Sequence, residues 1–200
     1  MIIIKTKKLF DLNGEVAIVT GSTKGLGKGI AEVLAEFGAK VVITSRHQDD
    51  CNKIAMEINK KYGVNTLPVS TDVTELSEVK SLVNKTLDEF NKINILINNA
   101  GTAITKKAEN ISEKEWDHIL EVNLKGYFLM AREVGKHMIE TEQGKIINVS
   151  SIFGEVGEKM ILPYLASKGG VNQLTRGLAL EWAKYNVQVN AIAPAYIVTP

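Results

Sequence analysis

Residues 16–27 pass from an apolar run directly into a glycine-rich turn, Val16-Ala17-Ile18-Val19-Thr20-Gly21-Ser22-Thr23-Lys24-Gly25-Leu26-Gly27. The next residues are apolar at helical spacing (Ile30, Val33, Leu34 and Phe37), and Gly38 follows where a helix-ending glycine is expected. A strand, a glycine turn and a helix N-terminus present unpaired N–H groups and the positive end of the helix dipole to a phosphate group. Because a Cβ would block the turn and the approach of the ligand, the glycines indicate a dinucleotide pyrophosphate site.

Five further apolar runs alternate with longer amphipathic stretches along the rest of the chain. These predicted strands are Lys40 to Thr44, Thr66 to Ser70, Ile93 to Ile97, Lys145 to Val149 and Val187 to Ala191. Nearly continuous apolar runs are typical of parallel strands that helices cover on both faces. We therefore predict an α/β fold with a doubly wound parallel sheet of the Rossmann type, forming a single dinucleotide-binding domain over residues 1–200.

Three of the intervening stretches have features of their own. Leu76 to Phe90 places Val79, Leu82, Val83 and Phe90 on one helical face. Trp116 to Met138 fits one longer helix or a broken pair. Tyr164 to Tyr185 is rich in small residues, which allow close approach of either the sheet or a second subunit.

Composition narrows the possible partners and the compartment. The 24 Lys and Arg residues against 23 Asp and Glu give a formal charge of +1, which offers no basic surface for nucleic acid or an anionic membrane. A lone cysteine, Cys51, cannot form an intramolecular disulfide, and the apolar start at Ile2 to Ile4 is too short for a signal peptide or a membrane span. We expect a cytoplasmic protein with a small-molecule substrate.

No metal is predicted. The three histidines, His47, His118 and His137, have no cysteine or carboxylate companions at metal-ligand spacing.

The end of the second predicted strand bears on cofactor choice. Sites that prefer NAD hold the ribose 2′-hydroxyl with an acidic residue about 20 residues beyond the glycines. Here the strand ends Thr44-Ser45-Arg46, and Asp49 comes three residues later. The forked guanidinium of Arg46 can pair with a 2′-phosphate, and Lys24 adds a second cation, although Arg46 could also be an ordinary solvated loop residue. The pattern favours NADP(H) over NAD.

A second constellation lies near the C-terminal end of the chain. Tyr164 and Lys168 are four residues apart, so on a helix they share one face, and Ser151 follows a predicted strand end, where ligands of parallel sheets bind. A unit charge about 4 Å from a phenol contributes roughly 4 kcal/mol at an effective dielectric near 20, which lowers a phenol pKa by about three units. Such a tyrosine could exchange a proton with an alcohol or a carbonyl near neutral pH.

Together these motifs resemble those of the short-chain dehydrogenase/reductase family. The resemblance rests on G-x-x-x-G-x-G after Thr20, on Asn98-Asn99-Ala100-Gly101, and on Tyr-x-x-x-Lys with Ser151 thirteen residues before Tyr164. It covers the chain from about Leu9 to Pro200 and implies hydride transfer between a nicotinamide and a carbonyl or alcohol carbon. It also implies a homo-oligomer, either a dimer or a tetramer.

The resemblance assigns roles to particular residues. It implies a catalytic tetrad of Asn123, Ser151, Tyr164 and Lys168, in which Ser151 and Tyr164 bind the substrate oxygen and Asn123 supports a water that links Lys168 to solvent. It implies that Asn98 braces neighbouring strands. The cofactor contacts that it implies are Gly21, Ser22, Thr23, Lys24, Gly25, Leu26, Gly27, Arg46, Asp72, Val73, Asn99, Ala100, Gly101, Tyr164, Lys168, Ile197 and Thr199.

The chain departs from the family pattern near its end. Ala195 stands where relatives usually have glycine, and the sequence stops at Pro200, whereas relatives continue; we therefore expect a C-terminal part to be missing. The motifs look most like those of sugar-acid or polyol members such as gluconate 5-dehydrogenase. A 3-oxoacyl-thioester reductase of fatty acid synthesis shares every motif, and a dinucleotide-binding regulator without catalysis is the alternative of another class.

Overall fold

The computed structural model describes residues 10–198. Its strands are β1 (Val16–Thr20), β2 (Lys40–Ser45), β3 (Thr66–Ser70), β4 (Ile95–Asn98), β5 (Gly144–Val149) and β6 (Val187–Ile192). Its helices are α1 (Gly25–Glu36), α2 (Gln48–Tyr62), α3 (Leu76–Phe90), α4 (Glu113–Leu120), α5 (Gly126–Glu140) and α6 (Leu162–Trp182). A π-helical segment, Glu121–Lys125, joins α4 to α5.

The strands form a parallel sheet in the order β3-β2-β1-β4-β5-β6. The predicted doubly wound α/β fold is confirmed. The chain winds outward from β1 in one direction up to β3 and then returns to place β4 on the other side of β1. In such sheets the crevice for ligands opens where the order reverses, at the carboxyl ends of the strands. Here that place lies between β1 and β4.

Apolar side chains cover both faces of the sheet and make a three-layer structure. One cluster joins the sheet to α3, α5 and α6, with Leu82, Met130 and Leu178 among its members. The other joins the opposite face to α1 and α2 through Ala31 and Ile54. All five residues of β1 are buried because this strand lies between two neighbours and under both helical layers.

Strand β4 begins two residues later than predicted. Asn94 takes the position before it: its side-chain oxygen accepts a hydrogen bond from the Val16 N–H (2.9 Å), and its own N–H donates to the Val16 carbonyl (3.0 Å). Regular pairing then starts at Ile95, opposite Ala17. The apolar Ile93 is buried, but it belongs to the approach to the strand.

Helix α1 packs against the sheet through small residues, with the predicted Ile30 and Leu34 beside them. Its buried residues are Gly27, Ala31 and Ala35, whereas the predicted Val33 is 52% exposed. Small side chains bring the helix close to the strands, and this close approach leaves the bulky Val33 on the outside. Gly38 follows the helix with φ +99°, as its predicted helix-ending position requires.

The stretch predicted as one helix or a broken pair is one helical run with an irregular centre. It begins with a capping box in which the Ser112 hydroxyl and the Glu115 carboxylate bond each other's backbone N–H groups. In the π-helical segment the Gly126 N–H donates to the Glu121 carbonyl, five residues earlier. Such bulges are frequent at functional sites, and this one buries Asn123.

The final long helix is shifted slightly from its predicted limits. It runs from Leu162 to Trp182, and a 3-10 turn continues it to Tyr185. Within residues 10–198, no helix is long and apolar enough to cross a membrane.

Two glycines near the start of α1 provide a matched test of this packing. A Cβ on Gly27 would overlap the Gly21 carbonyl oxygen and the Asn99 side-chain nitrogen, whereas a Cβ on Gly29 would meet no atom within 4 Å. We expect Gly27→Ala to lower the free energy of unfolding by about 1–3 kcal/mol through overpacking. Gly29→Ala should raise it by roughly 0.5–1 kcal/mol because alanine favours the helix. Urea denaturation would measure both, and a shift in the same direction for both variants would contradict this packing.

Candidate active site

A cleft of about 590 Å³ opens where the strand order reverses. This volume lies within the range of about 300–1,000 Å³ that is typical of small-molecule sites. The cleft brings together most of the predicted cofactor contacts: Gly21, Thr23, Lys24, Gly25, Leu26, Gly27, Arg46, Asp72, Val73, Asn99, Ala100 and Gly101. Neither Ser22, Tyr164, Lys168 nor Ile197 lines it, and Thr199 lies outside the described residues.

The glycine loop and the Asn98 to Gly101 segment hold each other in place. The Asn99 side-chain amide donates to the carbonyls of Thr20 (2.8 Å) and Gly21 (3.3 Å). In return, the Thr20 hydroxyl accepts from the N–H groups of Asn99 (2.8 Å) and Ala100 (3.0 Å). Gly21 has φ +64°, and a Cβ there would come within 3.0 Å of the Ala100 Cα. Both the backbone conformation and the close approach therefore require glycine.

Ser22 differs from the rest of its loop. Its side chain is fully buried, and its hydroxyl accepts a hydrogen bond from the Thr44 N–H at 2.9 Å. Although the resemblance implied a cofactor contact for Ser22, the structure turns its hydroxyl toward β2 and away from the cleft. This side chain links the glycine loop to the end of the neighbouring strand.

Cations mark one side of the cleft. Lys24 and Arg46 line it and are exposed, and no carboxylate of residues 10–198 lies within 4 Å of either. Asp50 also lines this part of the cleft from the first turn of α2, as does His47 just before it. Sequence reasoning considered Asp49 and missed Asp50, because the start of α2 decides which carboxylate faces inward.

Two residues that line the cleft carry buried hydroxyl groups. The Oγ1 atoms of Thr44 and Thr71 are buried and have no hydrogen-bond partner among the described residues. Asp72, next to Thr71, accepts from the N–H and hydroxyl of Thr74 at 2.9 and 2.7 Å. The glycine cradle and the exposed cations Lys24 and Arg46 fit a phosphate-bearing dinucleotide.

Lys168 occupies a buried position at the carboxyl end of β5. Its ammonium donates to the Val149 carbonyl at 2.6 Å and lies 5.6 Å from the centroid of the Tyr164 ring. Only 3% of the residue is exposed, and this burial lowers the pKa of Lys168 below its ordinary value, to about 8. Tyr164 and Lys168 thus share a helix face as predicted, with the charged group held beside the ring.

Tyr127 is a neighbour of Lys168 that sequence reasoning missed. Its hydroxyl donates to the same Val149 carbonyl (3.1 Å) and accepts from the Lys168 ammonium (3.4 Å). The ammonium lies 5.0 Å from the centroid of the Tyr127 ring, and burial raises the pKa of Tyr127. In the sequence this tyrosine is one of several apolar residues of a helix, so no local signal separates it from the core.

Ser151 is buried next to this group, two residues after Val149. Its hydroxyl oxygen accepts a hydrogen bond from the Phe153 N–H at 3.2 Å. That bond uses a lone pair and leaves the hydroxyl hydrogen free to be donated to another oxygen.

Asn123 contacts the loop after β4. Its side-chain oxygen accepts from the Thr102 N–H, and its amide donates to the Thr102 carbonyl, both at 2.8 Å. The same amide donates to the hydroxyl of Ser167 (3.1 Å), which precedes Lys168 on α6. The side chain therefore joins the π-helical segment, the loop after β4 and the helix that carries Tyr164.

The segment after β6 lies farther out than the resemblance implied. Ile197 is 50% exposed and outside the cleft lining. Tyr196 packs its ring edge-on against Phe153 with centroids 5.8 Å apart.

In the part of the chain that the structure covers, no three histidine, cysteine or acidic side chains gather as a metal site.

Comparisons with known proteins agree with this arrangement. The family described as short chain dehydrogenase matches residues 15–200. The NAD-dependent glycerol dehydrogenase of Listeria innocua is 40% identical over 192 residues, which cover 96% of this chain and 74% of that relative. The 5-keto-D-gluconate 5-reductase of Escherichia coli is 36% identical over 191 residues, which cover 96% of this chain and 75% of that relative.

A solved structure shares both the fold and much of the sequence. It is a gluconate 5-dehydrogenase from Burkholderia cenocepacia in complex with NADP and tartrate. It matches with a TM-score of 0.92 and 35% identity over 96% of this chain and 74% of that one. The chain thus spans about three quarters of the length of these relatives.

The buried ammonium makes stability depend on pH in a definite direction. Because the pKa of Lys168 is lower in the folded protein than in the unfolded chain, the unfolded chain binds more protons between these two values, and stability rises with pH. The penalty for burying the charge is complete below the folded pKa of about 8 and fades above it. From about pH 7 to about pH 9.5, the wild type should gain about 2 kcal/mol in unfolding free energy relative to Lys168→Met.

Urea denaturation at both pH values would measure this gain. Lys184→Met, at an exposed position of the 3-10 turn after α6, is the control and should show no comparable change. A Lys168→Met difference that stays constant with pH would show that the buried amine remains charged in the folded protein throughout this range, with a pKa that burial has not lowered.

Proposed function

The chain belongs to the short-chain dehydrogenase family, and we propose that it transfers a hydride between NADP(H) and a carbonyl or secondary alcohol carbon of a sugar acid or polyol. The reaction class is oxidation or reduction at a carbon that bears a hydroxyl group. One observation carries the proposal for the site. The Lys168 ammonium donates to the carbonyl of Val149, which lies two residues before Ser151, and it is held beside the Tyr164 ring.

In the proposed reaction Tyr164 moves the proton. Tyr164 would accept a proton from an alcohol or return one to an alkoxide, with the Lys168 ammonium beside its ring. With a pKa of about 8, the amine is mostly protonated at neutral pH. The free hydroxyl hydrogen of Ser151 would hold the substrate oxygen.

Asn123 has a supporting role in this proposal. Its side chain holds Thr102 and Ser167, and so sets the loop after β4 against the helix of Tyr164 and Lys168. The resemblance implies a water that links Lys168 to solvent. We propose that this water binds near Asn123, where the π-helical segment interrupts regular helix hydrogen bonding.

The glycine loop and its neighbours would hold the cofactor, which supplies or accepts the hydride when bound. The N-terminus of α1 would hold the phosphates, Asp72 and Val73 would hold the adenine, and Asn99 to Gly101 would hold the ribose; all of these residues line the cleft. Lys24 and Arg46 would carry the preference for NADP(H), because both are exposed cations of the cleft with no carboxylate of residues 10–198 within 4 Å. The relatives differ here: the Listeria enzyme is named for NAD, and the Burkholderia structure contains NADP.

The substrate class rests on the relatives. Proteins named for gluconate, its keto derivative and glycerol are all 35–40% identical to this chain. Their common chemistry is a small molecule with several hydroxyl groups. Tartrate, which accompanies NADP in the Burkholderia structure, is likewise a small hydroxy acid.

Cofactor choice can be tested by removing the cations. Arg46→Ala combined with Lys24→Ala should weaken NADPH binding by about ten- to a hundredfold, because hydrogen bonds to charged groups contribute about 1.5–3 kcal/mol. NADH binding should stay the same. Nicotinamide fluorescence titration would measure both constants, with Lys28→Ala as control because Lys28 pairs with Glu57 outside the cleft. Equal losses for both cofactors would contradict a 2′-phosphate site.

The acid–base assignment can be tested on turnover. Tyr164→Phe should lower kcat about 10²- to 10⁴-fold while NADPH binding is kept, because only the proton donor is removed. Absorbance of the nicotinamide would be followed with 5-keto-gluconate, gluconate, glycerol and a 3-oxoacyl thioester. Tyr62→Phe, on α2 and away from the cleft, is the control. Wild-type turnover of the thioester alone would overturn the substrate class, and an active Tyr164→Phe would overturn the assignment.

A further inference from the structure

The segment Ser150–Glu155, here called the serine loop, follows β5 and carries Ser151. It packs against α6, which carries Tyr164 and Lys168. Its backbone is also tied to the chain near and after the end of β6: the Ser150 N–H donates to the Ile192 carbonyl (2.8 Å) and the Ile152 N–H to the Pro194 carbonyl (3.0 Å). The proposed catalytic groups thus lie on two different elements.

Asn172 links these two elements with both ends of its side-chain amide. It lies on α6 one turn after Lys168. Its oxygen accepts a hydrogen bond from the Ser150 hydroxyl at 2.5 Å. Its nitrogen donates to the Gly154 carbonyl (3.3 Å) and to the Glu155 carboxylate (2.8 Å). The amide therefore contacts the loop on both sides of Ser151.

The packing around Asn172 leaves the serine loop little freedom. A Cβ on Gly154 would come within 2.7 Å of the Asn172 amide nitrogen and 2.9 Å of the Lys168 carbonyl. The Ser150 hydroxyl also lies 3.3 Å from that same carbonyl. Because Asn172 accepts on one side and donates on the other, its orientation is determined by its partners, and no apolar side chain could replace these bonds.

We propose that Asn172 is a positioning residue that fixes Ser151 relative to Tyr164 and Lys168. The expected effect on turnover rests on the proposed function. That Asn172 holds the serine loop rests on the hydrogen bonds alone. Asn172 itself touches neither reacting atoms nor the cleft lining. It acts through the serine loop, whose Ser151 hydroxyl must meet the same substrate oxygen as Tyr164. A displacement of about 1 Å between such groups can cost about a hundredfold in rate.

The first test removes the amide without disturbing the helix. Asn172→Ala keeps a helix-favouring residue, and Gln173→Ala on the exposed side of the same turn is the matched control. We expect Asn172→Ala to lower kcat by about ten- to a hundredfold with the dissociation constant of NADPH unchanged. Gln173→Ala should leave both unchanged. A wild-type kcat in Asn172→Ala, or the same loss in both variants, would overturn the proposal.

A conservative rescue separates positioning from a general loss of stability. Asn172→Asp keeps the acceptor for Ser150 but sets a carboxylate against that of Glu155, so kcat should fall. Adding Glu155→Gln supplies an amide that can donate to the new carboxylate, and part of kcat should return. Equal kcat in the single and double variants would contradict the proposal that Asn172 holds the serine loop through these hydrogen bonds. Glu155→Gln alone changes an exposed residue and should fold normally, with a smaller loss of kcat.

Amide hydrogen exchange measures how firmly Asn172 holds the serine loop, independently of turnover. In the full chain, peptides that cover residues 150–156 should exchange faster in Asn172→Ala than in the wild type or in Gln173→Ala, while peptides from β1 to β4 keep their rates. Unchanged exchange in residues 150–156 would overturn the proposal even if kcat falls. Should the wild type turn over none of the substrates, the proposed function fails, and the exchange rates still decide whether Asn172 holds the loop.

Discussion

The Thr20 hydroxyl at the end of β1 supports the whole site. It accepts two backbone N–H groups from the segment after β4, while the Asn99 amide returns two bonds to the glycine loop. These bonds close the point where the strand order reverses, which is where a parallel sheet leaves its loops without strand partners. Because buried backbone groups must be paired, this exchange lets two loops meet without water between them. The cleft exists because its two walls hold each other.

A second set of buried hydrogen bonds links β4, β5, α5 and α6. The Asn98 amide donates to the Asn148 side chain (2.9 Å) and to the Tyr127 carbonyl (3.3 Å), and Asn148 donates to Thr175 on α6 (2.9 Å). The strand-bracing role that the resemblance implied for Asn98 is confirmed. Apolar residues of the same size would pack here, but hydrogen bonds have direction, so they also fix how α5 and α6 sit against the strand ends.

The site has two parts with different physical characters. The cleft is open and lined by glycines and exposed cations, as an anionic ligand requires. Around Lys168 the protein is closed, with the ammonium enclosed by two tyrosine rings and a carbonyl. Low polarity strengthens the field of a charge and also makes that charge costly to bury, and the cost of burial lowers the pKa of Lys168. The proposed cofactor end of the site is thus open to solvent, and the proposed proton-transfer end is buried.

By itself the sequence determined the sheet, the glycine loop and the shared helix face of Tyr164 and Lys168. These features depend on residues close together in the chain: apolar runs make strands, glycines permit the turn, and a spacing of four places two side chains on one side of a helix. Only the tertiary structure decided that Ser22 turns toward β2, that Tyr127 shares a carbonyl with Lys168, and that Asn172 holds the serine loop. The partners in these contacts are 17 to 22 residues apart along the chain. Each arises only when distant elements pack together, and no local pattern encodes which atoms will then lie opposite each other.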